Sequence, residues 1–297
     1  MMVLDRSWGS RVFDALNLAF LTLVGLSCLL PIVHLAAISL SESSAVGGGM
    51  VSIWPVRPTL ASYARIMEDS AFFRAGFVSI VRTVVGTSLN MFITILLAYP
   101  LAQNRSRLRY RNLLAALVVI PMYFHAGLIP TYMVVRAVGL LNSFWSLILP
   151  TMVPVWSVII LMNFFRSQPK ELEEAAIVDG ATPGQILLRI AVPIARPALA
   201  TIGLFAILKH WNSFFDGLIY LNNPRDYPLQ TYLYGQVVSA ASLIQLLQEG
   251  AENLALYFST ETLRAAQIFL ATIPIIVVYP LLQKHFVKGI VLGSVKG

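Results

Sequence analysis

Six apolar runs, each long enough to cross a bilayer as a helix, are joined by polar segments along this chain: 13–39, 78–102, 113–135, 144–165, 198–220 and 266–287. Crossing the hydrocarbon core takes about 20 apolar residues, and lipid offers no partner to an unpaired amide, so each run is expected to be helical. The pattern predicts an all-α polytopic membrane protein forming one transmembrane domain over residues 1–297. Prolines at 31, 100, 121, 130, 150, 154, 274 and 280 predict kinked helices whose freed carbonyls are satisfied inside a bundle. The third run is expected to be broken after Pro121. The first run is far longer than a signal-peptide core, so it reads as an uncleaved span.

Composition agrees with the pattern. Of 297 residues 57% are apolar and 12% charged, with mean hydropathy +0.75, values foreign to a soluble domain. The net charge of +7 lies in short loops between spans, which speaks for membrane orientation and against nucleic acid. Thirteen Lys and Arg fall on the side of the N-terminus, the 103–112 loop, the central 166–197 loop and the C-terminus, against six on the other. Positive-inside therefore predicts that both termini and the central loop are cytoplasmic. The single Cys28 lies in an apolar run and supports no disulfide framework.

Two segments are expected outside. Residues 41–76 open on a Gly47-Gly48-Gly49 break and hold a Pro58-to-Met67 stretch suited to a short interfacial helix. Residues 221–264 start with the turn signal Asn222-Asn223-Pro224-Arg225-Asp226 and read as a long outer loop carrying Tyr227, Tyr232, Tyr234 and Gln236.

The central loop holds the densest acids of the chain. Pro169-Lys170 followed by Glu171, Glu173 and Glu174 is a helix start, with acids at the positive end of the macrodipole. Gly180 suits a left-handed helix end, and Thr182 with Gln185 forms a capping-box pattern for a second helix, Ile186 to Val192, expected to end at Pro193. Two short helices hinged at glycine are predicted. The order Glu174-Ala175-Ala176, three residues, Gly180, nine residues, Ile190, one residue, Val192-Pro193 resembles the signature loop of permease subunits of ATP-binding-cassette importers, with Val192 replacing the usual Leu.

The resemblance covers the whole chain. Trp211-Asn212, Leu221-Asn222-Asn223-Pro224 and Pro58-Thr59-Leu60-Ala61-Ser62-Tyr63 resemble the maltose-type, oligosaccharide-importing branch. Gly127-Leu128-Ile129-Pro130-Thr131-Tyr132 and Gly139-Leu140-Leu141-Asn142 are similar to permeases for polygalacturonate-type and alginate-type saccharides. The resemblance implies a type I importer permease fold in the bacterial inner membrane, with a cytoplasmic coupling helix. It also implies a second, different permease, two ATPase subunits, a solute-binding protein and an oligosaccharide cargo, including acidic ones such as alginate or pectin fragments. Glu171, Glu174, Ala175, Ala176, Asp179, Gly180 and Pro193 would then form the ATPase-coupling surface, with the alanines allowing close approach. No Gly-x-x-x-x-Gly-Lys-Ser/Thr occurs in the chain, so ATP and Mg are expected on the partner ATPase, with no enzyme, cofactor or metal here.

Ionisable groups at bilayer depth cost about 2.5–3.5 kcal/mol on insertion scales, which singles out Arg82, Lys209, His210 and Asp216. One reading makes Lys209, His210, Trp211 and Asn212 line the translocation path, with Asn90, Tyr123 and His125 as further candidates. The other makes such residues internal ion pairs and helix–helix hydrogen bonds. Rival functions are an ATP-binding-cassette permease for a peptide or amino acid, an ATP-independent secondary transporter, and a membrane enzyme. Paired broken repeats and nucleophile or metal motifs, which the last two would call for, are not seen in the sequence.

Overall fold

The computed structural model describes residues 8–103, 108–124, 126–248 and 254–293, and among them no strand is present. In chain order the helices are α1 (Trp8–Ser39), α2 (Ser43–Gly47), α3 (Ala61–Glu68), α4 (Ser70–Ala102), α5 (Arg111–Tyr123) and α6 (Leu128–Ala137). Two 3-10 turns, Phe144–Leu147 and Leu149–Thr151, lead into α7 (Val155–Ser167) and α8 (Lys170–Val178). Then come α9 (Pro183–Ile186), a π turn over Leu187–Ala191, α10 (Val192–Ile194), α11 (Arg196–Asn212), α12 (Phe215–Tyr220), α13 (Leu229–Gln248) and α14 (Leu254–Gly293).

Three described segments are long and apolar enough to cross a membrane: Trp8–Ser39, Ser70–Ala102 and Thr260–Pro280. The fourth apolar run bends by 49° between Phe144–Thr151 and Val155–Ser167. The third is two helices of 13 and 10 residues, separated where Gly127 adopts φ 84°. Pro130 lies in the first turn of α6, where its missing N–H leaves no carbonyl unserved. The fifth run is continuous only to Asn212; Ser213 and Phe214 interrupt it before α12.

Two expectations are corrected. The outer segment 221–264 is mostly helical, because α13 takes up residues 229–248 and α14 begins at Leu254, well before the apolar run at 266. Hydropathy marks where a helix enters lipid, not where its hydrogen bonding starts. The second central helix also does not end at Pro193. It continues to Ile194, because the π turn before the proline reaches back five residues rather than four and so absorbs its missing N–H.

The chain divides into two compact units. Unit 1 comprises Met1–Ser70 and Gly235–Thr272. In it the link after α1 is pinned by Thr59 N–H to the Leu40 carbonyl (2.8 Å) and Val56 N–H to Ser41 Oγ (3.0 Å). Ser39 and Tyr63 share a hydroxyl contact of 2.8 Å, joining α1 to the predicted interfacial helix α3.

Unit 2 comprises Ala71–Tyr234 and Ile273–Gly297 and is organised by α4. The buried stripe of this helix is small and polar: Ser79, Arg82, Thr83, Gly86, Asn90, Thr94 and Ala98 recur at three- and four-residue spacing. Phe77, Ile80, Val84, Phe92 and Leu96 are exposed on its other sides. Such an inverted pattern suits a bilayer, where apolar surface gains nothing by facing a neighbouring helix, while small residues let backbones approach and polar ones bond across the bundle.

Candidate functional site

Two regions of unit 2 hold most of the predicted functional residues. At one end, α8 carries Glu171 and Glu173 in its first turn and closes at Gly180, whose φ is 79°. Gly180 N–H reaches the Ile177 carbonyl (3.0 Å) and Ala181 N–H the Ala176 carbonyl (2.9 Å), the two bonds of a Schellman ending. Thr182 then starts α9 with the predicted capping box: its N–H donates to Gln185 Oε1 (2.8 Å) and its Oγ1 accepts from Gln185 N–H (3.4 Å). Both hinge elements follow from local chemistry.

Glu171, Glu174, Ala175, Asp179 and Gly180 are exposed on this hinge, alongside exposed Leu172, Ile177 and Val178. Ala176 is not; it is turned into the cluster of Tyr99, Phe165 and Ile186, so close approach from outside falls to Ala175 alone. Pro193 is half-buried. Glu173 faces back to the bundle, where Tyr99 Oη donates to its carboxylate at 3.3 Å. Beside it the last turn of α4 receives two guanidinium groups on one carbonyl: Arg111 Nε and Arg166 Nη2 donate to Leu101 O at 3.0 and 3.1 Å.

The second region is the polar stripe of α4. Arg82 pairs with Asp216 on α12, Nη1 to Oδ1 at 3.2 Å and Nη2 to Oδ2, and the same two nitrogens also serve the carbonyls of Ser213 (3.1 Å) and Leu147 (3.3 Å). Two turns along, Asn90 Nδ2 donates to the carbonyls of Met152 (2.7 Å) and Thr151 (3.2 Å), while its Oδ1 lies 2.7 Å from His210 Nε2. Ser213, Leu147, Thr151 and Met152 are where α11, the 3-10 turns and α7 are interrupted. Irregular backbone is tolerated in a bundle only when its carbonyls find donors, and α4 supplies them. Gly86, between Arg82 and Asn90 on the same stripe, makes room for the His210 ring, which lies 2.5–2.8 Å from where a Cβ would stand.

Of the residues expected along a path, Asn90, His210 and Trp211 are thus buried, at 2%, 1% and 6% exposure. Lys209, Asn212 and Tyr123 are exposed, and His125 lies outside the described residues. Phe205, which the sequence alone did not single out, is 59% exposed and shares a face of α11 with Lys209 and Asn212 at i, i+4 and i+7. The paired motifs also meet: Asn142, at φ 58°, accepts from Asn222 N–H at 2.7 Å and donates its own N–H to the Tyr220 carbonyl at 2.8 Å.

Residues 73–292, which hold both regions, match the family described as binding-protein-dependent transport system inner membrane component. The chain belongs to this family. As a member of it, this permease is similar to Protein LplC of Bacillus subtilis (strain 168), with 40% identity over 97% of this chain and 96% of that protein. It is also 39% identical to the polygalacturonan/rhamnogalacturonan transport system permease protein YtcP of the same organism, over 97% of this chain and 99% of that one. Among solved structures, a chain of a bacterial ABC transporter involved in the import of the acidic polysaccharide alginate aligns with a TM-score of 0.83 and 31% identity, covering 94% of this permease and 98% of that chain. The all-helical architecture of the permease is therefore that of the type I importer class, and the family places it in the inner membrane.

Proposed function

We propose that this permease moves oligosaccharides, acidic ones among them, into the cytoplasm as one of two different transmembrane subunits above a pair of ATPase subunits. The observation that carries this reading is the full-length likeness to the alginate-importer chain together with two relatives of about 40% identity, one of them named for pectic polysaccharides. The reading takes the chain as one transmembrane domain of six spans, with both termini and α8 cytoplasmic, as the distribution of Lys and Arg supports. Spans three, four and five are then each made of two helical pieces.

The α8–α9 hinge is the coupling surface. Glu171, Glu174 and Asp179 offer charge-assisted contacts, exposed Leu172, Ile177 and Val178 offer apolar ones, and the Gly180 ending fixes the angle between them. ATP and Mg are handled by the ATPase partner. On the cargo side the exposed Phe205, Lys209 and Asn212 face combines a ring to stack on sugar, a cation to meet carboxylates and an amide to bond hydroxyls. Asn90 and His210 hold the backbone that presents this face.

The test is uptake by the importer reconstituted with its binding protein, offered unsaturated galacturonate, alginate, maltodextrin and peptide ligands in parallel. Uptake of one or both uronate oligomers, driven by ATP, is expected. Uptake of the peptide alone, or sugar uptake without ATP, would refute the reading.

A further inference from the structure

The arginines at the end of α4 are not accounted for by the coupling hinge. A helix end carries a partial charge of about −0.5 and is capped adequately by one cationic donor. Here Arg111 and Arg166 both bond the Leu101 carbonyl, at 3.0 and 3.1 Å, so two full positive charges are gathered on one acceptor. Among the described residues the ion pairs are Arg57–Glu42 and Arg82–Asp216, and neither of these two arginines is in one. Each guanidinium has five N–H donors, and one from each is used on Leu101.

Both arginines line a cavity of about 370 Å³ between α4, α5, α7, α8 and α10, within the roughly 300–1,000 Å³ range of small-ligand sites. Its wall also holds Lys170, Gln168 and the carboxylates Glu173 and Glu174. Gln168 is fixed by its bond to the Ala191 carbonyl (3.1 Å), Glu173 is engaged by Tyr99, and Glu174 lines the cavity while remaining exposed, so three cations face two carboxylates there. A second cavity, of about 490 Å³ and predominantly apolar, shares Tyr99, Gln103, Glu173 and Ile186 with the first and is lined further by Pro100, Leu108 and Ile177.

We propose that Arg111 and Arg166, with Lys170 at the rim, form a binding site for a phosphate group behind the coupling helix. The phosphate belongs to an anionic phospholipid or to a soluble phosphate ester. The planar forks of the two arginines suit phosphate oxygens, and the adjoining apolar cavity suits an acyl chain. Cations next to the cytoplasmic ends of spans attract anionic headgroups, and α8 roofs this cavity, so occupancy there bears on the coupling hinge. The lipid source rests on the cytoplasmic placement of α8 given above; the arginine pair itself does not.

The full-length permease, purified with its copurifying subunits, is exchanged into nanodiscs of phosphatidylcholine alone or with phosphatidylglycerol, and retained lipid is counted by native mass spectrometry. In parallel, inorganic phosphate and glucose 6-phosphate are titrated by thermal shift in the phosphatidylcholine discs. Wild type is expected to retain phosphatidylglycerol or to bind a soluble phosphate saturably. Arg166→Gln, which leaves Arg111 on the Leu101 carbonyl, should weaken that binding at least tenfold, and Arg109→Gln, outside the cavity, should not. Binding of neither ligand class, or equal binding by Arg166→Gln, overturns the site. Sidedness is checked separately with Gly184→Cys in a Cys28→Ser background, labelled by an impermeant maleimide. Labelling from outside would overturn the cytoplasmic reading while leaving phosphate binding to be judged on its own result.

Discussion

Adding one methyl group at Gly86 tests the close packing of α4 on α11. The Cβ of Gly86→Ala would lie 2.5 Å from His210 Cε1, 2.6 Å from Nε2 and 2.8 Å from Nδ1, so the ring must move. It has little room: His210 is 1% exposed and its Nε2 is held 2.7 Å from Asn90 Oδ1. Overpacking of this kind costs about 1–3 kcal/mol. Displacing the ring also strains a bond that in helix bundles is worth roughly 0.6 kcal/mol on average and at most about 1.7. The expected loss is therefore roughly 2–4 kcal/mol by these two principles. The assay is a double-mutant cycle of Gly86→Ala and His210→Ala, read by reversible unfolding in mixed micelles. With the ring removed, the added methyl should become nearly neutral, giving a coupling of about 1 kcal/mol or more. Equal destabilisation by Gly86→Ala in both backgrounds would refute the packing argument.

Other substitutions address the remaining contacts. Asp216→Ala should cost about 3–5 kcal/mol, because it leaves Arg82 charged and 2% exposed, whereas Arg82→Met with Asp216→Leu should cost clearly less than either single change in the same unfolding assay. Gly180→Pro removes the N–H that bonds Ile177 and forbids a φ of 79°; with Glu174→Lys it is expected to abolish substrate-stimulated ATPase in the reconstituted importer without lowering membrane insertion. Lys209→Ala should reduce uptake of uronate oligomers about tenfold or more relative to neutral ones, by loss of a cation worth about 1.4 kcal/mol or more at the cargo face, and an equal reduction for both would count against that role.

What the sequence reveals here is what short stretches decide for themselves. The Gly180 ending and the Thr182–Gln185 box rest on residues within six positions of one another, and both form as expected. Arg82 and Asp216 stand out in the sequence as ionisable groups in apolar runs, but their pairing spans 134 positions and no local signal points to it. Gly86 carries no turn or cap signal, and only the His210 ring across the helix interface explains it. The role of Leu101 is a backbone carbonyl, which side-chain reasoning does not register. Ala176 matched the family motif but faces inward, since a nine-residue helix lying on a bundle must turn part of its surface to the core. Falling hydropathy and the turn signal after residue 220 suggest a loop for the outer tyrosines, yet Tyr232 and Tyr234 lie on α13.

On the proposed function, the burial pattern separates the residues that hold the bundle together from those offered to cargo. Arg82 and Asp216 neutralise each other, and His210 is turned onto Asn90, so the stripe of α4 presents no free charge to a passing sugar. Lys209 is one residue from His210, and a step of one residue turns about 100° around a helix, so Lys209 is exposed where His210 is buried. Exposed to lipid near mid-span, the charge would cost about 2.5–3.5 kcal/mol. That cost falls away if the face bearing Phe205, Lys209 and Asn212 borders water. A hydrated face that carries a ring, a cation and an amide at helical spacing is what an acidic oligosaccharide requires, whereas a lipid-facing surface would place leucine or valine there. On the proposed function, the same three positions account for why a cation persists in this apolar run, because the face that carries them is the one offered to cargo.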